Sequence, residues 1–155
     1  MSGENPVDTP PIKPGPRVNK INQPFWDACN RGEMRLQQCD ASGCGKWTYF
    51  PRISCPYCGG GALSWKTASG LGTIVTYTRI HRPHHKAFLS EAPYYFIAVQ
   101  LDEGPLMYSR LEHAGTATEL AGERVKAFFV EQSPGQKLPF FRVASPAAQL
   151  PESPP

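Results

Sequence analysis

Residues 36–61 read L-Q-Q-C-D-A-S-G-C-G-K-W-T-Y-F-P-R-I-S-C-P-Y-C-G-G-G and hold four of the five cysteines of the chain. They form two close pairs, Cys39 with Cys44 and Cys55 with Cys58. The second pair, C-P-Y-C followed by glycines, has the form of a zinc knuckle, in which one tight turn presents two thiolates. Four thiolates suit tetrahedral zinc, and a closed four-sulfur site is structural rather than catalytic. We therefore predict a structural metal site at these four residues.

The spacing of the cysteines departs from the common template in two respects. Four residues lie between Cys39 and Cys44, and the ten residues between the pairs are fewer than the usual ~15–20. A bulge around Ser42 and Gly43 would accommodate the longer first loop. The alternatives are two disulfides or four unrelated buried thiols, and the paired spacing favours a metal over both. Rubredoxin-like iron centres use the same ligands, so zinc and iron both remain open.

Length and composition limit the architecture. A chain of 155 residues with 40% hydrophobic residues is one domain, or one domain with a small metal module. Its 17 prolines concentrate towards the two ends, where large apolar side chains are scarce. Such segments bury too little surface to offset the entropy of ordering, so we predict disordered tails at residues 1–20 and 145–155.

The sequence also bears on the compartment. It contains no apolar run of about 18 residues and no basic-then-apolar leader, so we expect neither a membrane span nor a secretory signal. Paired cysteines in such a chain indicate a reducing cytoplasm and a metal instead of disulfides. The net charge of +3 is too small to indicate a long polyanionic partner, although it allows a local basic patch.

A short helix should precede the metal module. Asn22 is a candidate cap, Pro24 fits the first turn, and Gly32 is a stop signal. Cys29 would share the apolar stripe of this helix, and we interpret it as a small buried hydrophobe instead of a nucleophile or an extra ligand. Residues 33–38 and 47–51 should form the two strands of a ribbon. We predict that residues 21–66 comprise this helix and a rubredoxin-like zinc ribbon.

The rest of the chain has the pattern of short β-strands. We predict strands at residues 70–82, 94–101, 106–111, 125–131 and 138–143. Residues 83–93 should be a loop, and residues 118–121 should include a helical turn. Five strands, with a long first one and an irregular segment between the third and fourth, fit an OB-type barrel over residues 67–144. The fold would be mainly β, with a small β-sandwich as the alternative.

Strand periodicity also predicts which side chains share a face of the long first strand. Ile74, Thr76, Thr78 and Ile80 alternate with Val75, Tyr77, Arg79 and His81. The two sets should therefore face opposite sides of the sheet.

Several pieces in this order resemble a known family. They are F-W at residues 25–26, G-E-M-R-L-Q-Q-C at 32–39, P-R-I-S-C-P-Y-C-G at 51–59, G-L-G-T-I-V-T-Y-T at 70–78, A-P-Y-Y-F-I-A-V-Q-L-D-E-G at 92–104 and G-E-R-V-K-A-F-F-V at 122–130. Together they resemble the zinc-ribbon plus OB-fold proteins once catalogued as a domain of unknown function, number thirty-five. The resemblance covers residues 22–143, and it departs at the Cys39/Cys44 pair, where the family usually has two intervening residues.

The resemblance implies a function that composition does not show. Members of this family are often small accessory subunits of enzymes that act on coenzyme A thioesters. Their partners are thiolase-like proteins, including thiolases and steroid side-chain aldolases, or hotdog-fold hydratases. In the better-understood members the OB domain helps to hold the CoA moiety or completes the substrate channel of the partner. The resemblance therefore implies a non-catalytic subunit of an acyl-CoA-processing complex, with no enzyme activity of its own.

The residues themselves contain no common catalytic motif. G-x-S-x-G, a P-loop and H-E-x-x-H are all absent, and four of the five cysteines are assigned to metal. The segment R-I-H-R-P-H-H-K-A-F, residues 79–88, concentrates basic side chains that suit the phosphates of CoA, with aromatic residues that suit its adenine. Our candidate CoA-binding residues are Arg79, His81, Arg82, Lys86, Phe88 and Tyr94. A solvated loop is the simpler alternative, and a second metal site at His81, His84 and His85 is a weaker one.

Single-stranded nucleic acid is the rival ligand. OB folds bind it with a basic groove and stacking aromatics. Tyr77, Tyr94, Phe96 and Tyr108 are candidates for such a platform. The low net charge and the acidic residues around the same barrel, Glu91, Asp102, Glu103 and Glu112, argue against it.

Overall fold

The computed structural model describes residues 11–112, 114 and 117–144. Residues 1–10 of the first predicted tail, and the whole of the predicted tail at 145–155, lie outside the described residues. The elements in chain order are α1 (Gln23–Asn30), β1 (Arg35–Cys39), β2 (Trp47–Thr48), β3 (Leu63–Thr67), β4 (Leu71–Ile80), a 3-10 helix (Lys86–Glu91), β5 (Tyr94–Leu101), β6 (Leu106–Leu111), β7 (Arg124–Ser133) and β8 (Gln136–Val143). The predicted mainly β fold is confirmed.

Helix α1 forms where its start and stop signals predict. Asn22 precedes it, although its side chain makes no capping hydrogen bond to the helix. That side chain instead accepts a hydrogen bond from the backbone N–H of Asn19 at 2.8 Å, which closes the turn before the helix. Phe25 and Cys29 are fully buried on the inner face. The interpretation of Cys29 as a buried residue is therefore confirmed.

The ribbon is a three-stranded antiparallel sheet in the order β2-β1-β3. The second ribbon strand, predicted over residues 47–51, is only two residues long, so that prediction was too long. Beyond the end of this strand a side chain joins the two segments: the Gln37 amide nitrogen donates to the Arg52 carbonyl at 2.9 Å, and its oxygen accepts from the Arg52 N–H at 2.7 Å. The buried Gln37 side chain thus satisfies two backbone groups that follow the strand. Strand β3, which the sequence analysis did not separate, supplies the third strand.

The five remaining strands close into a barrel in the order β4-β5-β6-β8-β7. Strand β4 pairs with β5 along nearly its whole length and with β7 through Leu71, Gly72 and Thr73. A single parallel bridge, from Leu111 to Phe141, joins β6 to β8. This connectivity is that of the OB fold. The closed barrel contradicts the β-sandwich alternative.

A bulge in β4 overturns the prediction of its two faces. The pairing register with β5 shifts between Ile74 and Thr76, so that one residue of β4 has no partner. Ile74 is buried, whereas Val75 and Thr76 are both exposed. Beyond the bulge it is Tyr77 that packs against the core, where its ring meets that of Tyr95 at 6.0 Å. An inserted residue reverses the alternation for the rest of the strand.

Two local expectations between the strands were wrong. The segment predicted as a loop at residues 83–93 contains the 3-10 helix, which starts after His85. The His85 ring nitrogen Nδ1 accepts from the backbone N–H of Ala87 at 3.2 Å, so this histidine caps the first turn. The helical turn predicted at residues 118–121 does not form, and Leu120 is instead a buried member of the core.

One hydrophobic core joins the helix, the ribbon and the barrel. Phe25 from α1, Leu36 from β1 and Phe141 from β8 belong to the same buried cluster. The Asn30 side chain adds a polar link, because its oxygen accepts from the backbone N–H of Lys137 at 2.8 Å. The boundary predicted between residues 66 and 67 falls within this continuous packing and stays a prediction. Among the described residues, no helix is long and apolar enough to cross a membrane.

Closure of the barrel predicts that Gly72 tolerates no side chain. A Cβ atom there would lie 2.5 Å from Cγ1 of Val99 and 2.6 Å from the carbonyl oxygen of Gln100. Gly72→Ala should therefore lower the free energy of unfolding by about 1–3 kcal/mol, since overpacking shifts backbone as well as side chains. Gly61→Ala is the control, because nothing lies within 4 Å of its Cβ position. Urea denaturation of both variants measures the difference, and equal midpoints would contradict the close approach.

Candidate metal centre and ligand surface

The four predicted metal ligands come together at one end of the ribbon. The Sγ atoms of Cys39, Cys44, Cys55 and Cys58 all lie within 4.8 Å of one another. The distance from Cys39 Sγ to Cys58 Sγ is 3.6 Å, and that from Cys44 Sγ to Cys55 Sγ is 3.7 Å. A disulfide needs an S–S distance near ~2.05 Å, and all these cysteines are free thiols. The disulfide alternative is therefore wrong for this structure.

These distances fit a tetrahedral metal. With zinc–sulfur bonds of about 2.3 Å, the edge of a regular tetrahedron of sulfurs is about 3.8 Å. The separations of 3.6 and 3.7 Å are close to that edge. Four sulfur donors with no fifth protein ligand are typical of a closed structural site, and ferric iron accepts the same donors. The geometry supports a structural metal and does not distinguish zinc from iron.

Two turns bring the pairs together. Cys39 ends β1, and the chain returns through a turn in which the N–H of Cys44 donates to the Ala41 carbonyl at 3.0 Å. Gly43 in this turn has a φ of +79°, a conformation that residues with a Cβ rarely adopt. The extra residues of the first pair therefore bulge outward, as the sequence predicted, and leave both sulfurs facing inward.

The second turn stabilises a thiolate. Burial opposes ionisation of Cys55, but the backbone N–H groups of Cys58 and Tyr57, helped by neighbouring thiols, lower its pKa to about 7. Backbone N–H groups that donate to a sulfur favour its charged thiolate form, which is the form that binds a metal. Burial raises the pKa of Cys29 to about 12, so this thiol stays protonated, and it is not part of the metal cluster.

The four cysteines are also the only group of this kind in the described part of the chain. No other set of three or more histidine, cysteine or acidic side chains there has ligand atoms near enough to hold a metal. The second metal site considered for His81, His84 and His85 is therefore not formed.

Three of the six candidate CoA-binding residues line one surface depression. Arg82, Phe88 and Tyr94 border a cavity of about 400 Å³ beside the loop between β4 and β5. The other lining residues are Ile80, Pro83, His84, His85 and Phe96. In OB folds this loop and the face of the second and third barrel strands are the common ligand-binding surface. The depression therefore lies where the fold most often binds ligands.

The other three candidates lie outside this depression. Arg79 is on the opposite side of β4 from Ile80, with its guanidinium 5.9 Å from the centre of the Tyr95 ring. His81 and Lys86 are exposed on the same loop but do not line the cavity. The basic cluster read from the sequence is thus divided between two sides of the first barrel strand.

An exposed pair of aromatic rings adjoins the depression. Phe96 on β5 and Tyr108 on β6 stack at 6.0 Å with an interplanar angle of 5°, and they are 43% and 60% exposed. Tyr77, grouped with them from the sequence, packs inward against Tyr95. Because β5 and β6 are the second and third barrel strands, this pair occupies the usual binding face of the fold. Period-two alternation within 94–101 and 106–111 was the signal that could have separated these rings from Tyr77.

A second groove, with an arginine that the sequence did not single out, adjoins the depression. Phe88, Tyr94, Phe96 and Tyr108 continue into a second groove of about 240 Å³. Arg110 forms part of its wall. Arg110 was not among the candidates because an arginine within a strand carries no distinctive signal in sequence.

Comparison with known families finds two adjacent matches. The family model described as "ChsH2, rubredoxin-like zinc ribbon domain" matches residues 26–64, and that described as "ChsH2, C-terminal OB-fold domain" matches residues 65–130. The two matches follow each other without a gap and cover about two thirds of the chain.

Comparison with individual proteins gives three relatives. A "probable enoyl-CoA hydratase alpha subunit" of Thermomonospora curvata is 31% identical over 137 residues, which are 87% of this chain but only 41% of that protein. The chain therefore spans about two fifths of that relative's length. A solved structure titled "Ltp2-ChsH2(DUF35) aldolase" superposes with a TM-score of 0.73 and 29% identity, covering 84% of this chain and 100% of the other. A protein of unknown function from the DUF35 family of Sulfolobus solfataricus has a TM-score of 0.58 at 16% identity over 82% of this chain and 87% of its own, and shows the fold alone.

The metal centre predicts a specific effect of losing one thiol. Cys55→Ser should abolish stoichiometric metal binding and unfold the ribbon, because metal binding in comparable modules contributes about 10–16 kcal/mol to folding. Metal content by mass spectrometry of the purified protein and the near-UV circular dichroism measure the two effects.

Cys29→Ala is the matched control for that variant. It also removes a buried thiol, but one outside the cluster, so the protein should keep one metal per chain. Full metal content and a folded ribbon in Cys55→Ser would contradict the site. The visible absorption of the native protein, strong for ferric iron and absent for zinc, identifies the metal.

Proposed function

The chain belongs to the family that joins the ChsH2 rubredoxin-like zinc ribbon to the ChsH2 C-terminal OB-fold domain, and on that premise we propose that it is a non-catalytic accessory subunit of an acyl-CoA enzyme. In this role it binds a thiolase- or aldolase-type partner, or a hotdog-fold hydratase, and helps to hold the CoA part of the substrate. The partner supplies the reacting groups.

One observation carries this proposal. The similarity to the chain of the Ltp2-ChsH2(DUF35) aldolase extends over all of that chain at 29% identity. The name of the Thermomonospora relative, an enoyl-CoA hydratase alpha subunit, indicates acyl-CoA chemistry independently of an aldolase. This chain spans about two fifths of that relative, so the match supports the chemistry of the name and not the activity of the whole hydratase. Both names support a subunit role and leave the acyl group open.

The four cysteines serve this function as a structural zinc site. Zinc held by Cys39, Cys44, Cys55 and Cys58 would fix the two turns of a ribbon whose central sheet is small. The ribbon in turn packs Leu36 against α1 and the barrel. Loss of the metal would therefore disturb the shape of the whole subunit and not only its tip.

The depression beside the first barrel loop is our candidate site for CoA. Arg82 would bind a phosphate oxygen, and Phe88 and Tyr94 would contact the adenine ring. The exposed His81 and Lys86, with Arg79 across the strand, would add positive potential at its edge. CoA carries several negative charges, so this concentration of cations favours it over a neutral ligand.

The exposed Phe96/Tyr108 pair is our candidate contact for the catalytic partner. It is continuous with the CoA depression through Phe96, so a protein covering the pair would also border the bound ligand. The aromatic residues of the ribbon are less suitable, because Tyr49 and Phe50 pack against the Phe25 ring at 5.6 and 6.1 Å. Protein–protein interfaces are enriched in aromatic residues relative to the rest of the protein surface, which favours the exposed Phe96/Tyr108 pair.

Partner binding is tested by copurification from the native host. We expect the retained protein to be a thiolase-, aldolase- or hydratase-type acyl-CoA enzyme. The double variant Phe96→Ser/Tyr108→Ser should weaken its affinity for the isolated partner by about 30-fold or more, since truncating one interface hot spot costs ~2 kcal/mol. Tyr57→Ser, which removes an exposed aromatic ring from the ribbon, is the control and should bind normally. Retention of a protein of another class would contradict the proposal.

The same exposed pair favours a second candidate, single-stranded nucleic acid. Stacked rings on this face are how many OB folds hold successive bases. Three of the four acidic residues that argued against it are paired within the protein: Glu91 and Glu112 pair with Arg110, and Asp102 pairs with Arg124. Fluorescence anisotropy with a labelled oligonucleotide decides between the two. Salt-sensitive micromolar binding that the double variant abolishes would favour nucleic acid, and no binding would favour the accessory subunit.

The CoA site predicts a graded effect of removing single charges. In the assembled complex, Arg82→Ala should raise the Kd for acyl-CoA about tenfold, the effect of one charge-assisted hydrogen bond of ~1.5 kcal/mol. Arg79→Ala and Lys86→Ala should have smaller effects, because neither lines the depression. Lys126→Ala, an exposed cation on β7, is the control. Isothermal titration measures all four, and an unaltered Kd in Arg82→Ala would rule out this site.

A further inference from the structure

Four charged side chains join separate segments of the chain next to the CoA depression. Lys13 belongs to the segment before α1, Glu91 ends the 3-10 helix, Arg110 lies on β6, and Glu112 follows that strand. Lys13 and Arg110 both pair with Glu91, and Arg110 also pairs with Glu112. The network therefore connects the N-terminal segment, the loop between β4 and β5, and the barrel wall.

Arg110 is the centre of this network. Its side chain is only 17% exposed. Nη1 lies 2.5 Å from Oε2 of Glu91, and Nε lies 2.5 Å from Oε1 of Glu112 in an ionic contact. The guanidinium also lies 4.4 Å from the centre of the Tyr94 ring and 5.7 Å from that of Phe140. A planar guanidinium can pair with carboxylates at its edge while it stacks on a ring, which an ammonium group cannot do.

This arrangement leaves Arg110 unsuited to bind a phosphate directly. Two carboxylates and two rings already occupy its surroundings. Arg110 also does not line the depression, so its effect on a ligand there would act through the groups that it holds. Among these, Tyr94 lines the depression itself.

Glu91 links the same network to Phe88, the second aromatic residue that lines the depression. Burial opposes ionisation of Glu91, but Lys13 and Arg110 hold the pKa of its carboxyl below the usual value, so it is charged at neutral pH. Glu91 ends the 3-10 helix that carries Phe88, and the Lys13 ammonium lies 5.7 Å from the centre of the Phe88 ring. The segment bearing Lys13 is itself held close, since a Cβ on Gly15 would lie 2.7 Å from Oγ of Ser133.

We propose that Arg110 and Glu91 are positioning residues for the ligand depression. Arg110 fixes the ring of Tyr94 from behind, and Glu91 anchors the 3-10 helix so that Phe88 faces the same cavity. The two aromatic walls thus keep one spacing before a ligand arrives, which lowers the entropy cost of binding. Only the identity of the ligand rests on the proposed acyl-CoA function; the ordering of the loop is a property of this chain alone.

The test uses two variants and a matched control. Arg110→Lys keeps the positive charge but loses the planar guanidinium that contacts both carboxylates and the Tyr94 ring. Glu91→Gln keeps the shape of the side chain but loses its negative charge. Arg124→Lys is the control, because Arg124 makes a similar two-bond pair with Asp102 at the other end of β5, each bond 2.6 Å long. If one variant proves unstable, the other still tests the network.

Hydrogen exchange of the isolated chain gives the first measurement. Amides of residues 86–94 should exchange about tenfold faster in Arg110→Lys and Glu91→Gln, as local opening becomes easier, and should not change in Arg124→Lys. Unchanged exchange of this segment in both variants would overturn the inference, whatever the ligand.

The assembled complex gives the second measurement. The KM for acyl-CoA should rise about five- to tenfold in both variants while kcat stays within twofold, because they alter binding and not the partner's chemistry. Faster exchange with an unchanged KM would uphold the ordering of the loop but overturn the assignment of the depression to acyl-CoA. An equal rise of KM in the Arg124→Lys control would show a general structural effect and overturn the positioning role.

Discussion

The closure of the barrel through β4 is the constraint on which the rest of the structure depends. This strand pairs with β7 at its beginning and with β5 over its length, so its path sets the position of both neighbours. Gly72 permits the close crossing at the point of closure, and the bulge after Ile74 then turns the strand. Because of this bulge Tyr77 faces the core. Ile80 at the end of β4 and Arg82 just after it lie on the outer surface, where they line the depression.

The ribbon depends on the barrel as much as on its metal site. Its sheet has three strands, one of them two residues long, and such a sheet has little core of its own. Phe25 and Leu36 instead pack in the same cluster as Phe141 of the barrel. The sulfur cluster organises the outer end of the ribbon, and the shared core organises its inner end. The ribbon is therefore held at both of its ends.

The candidate ligand surface combines two kinds of residue with different physical origins. The cations of the loop between β4 and β5 are exposed and supply attraction to an anionic ligand. Phe88 and Tyr94 give the depression its shape, and the charged side chains next to their rings, Lys13 and Arg110, do not line it. This separation explains why a count of basic residues overestimates the site: Arg79 is charged but lies against Tyr95, while Arg110 is charged but already paired. Location and pairing decide which charges a ligand can meet.

Sequence alone was sufficient to predict the four-cysteine cluster, helix α1 and the OB barrel. Paired cysteines, the glycine stop after α1 and short runs of alternating hydrophobicity are local signals, because each depends on residues close together in the chain. The bulge at β4, the two-residue strand β2 and the inward turn of Tyr77 had no such signal. Nor did the network around Arg110, whose partners Glu91 and Tyr94 precede it by 19 and 16 residues and whose partner Phe140 follows it by 30. These features arise from pairing register and packing between distant segments, and only the tertiary structure decides them.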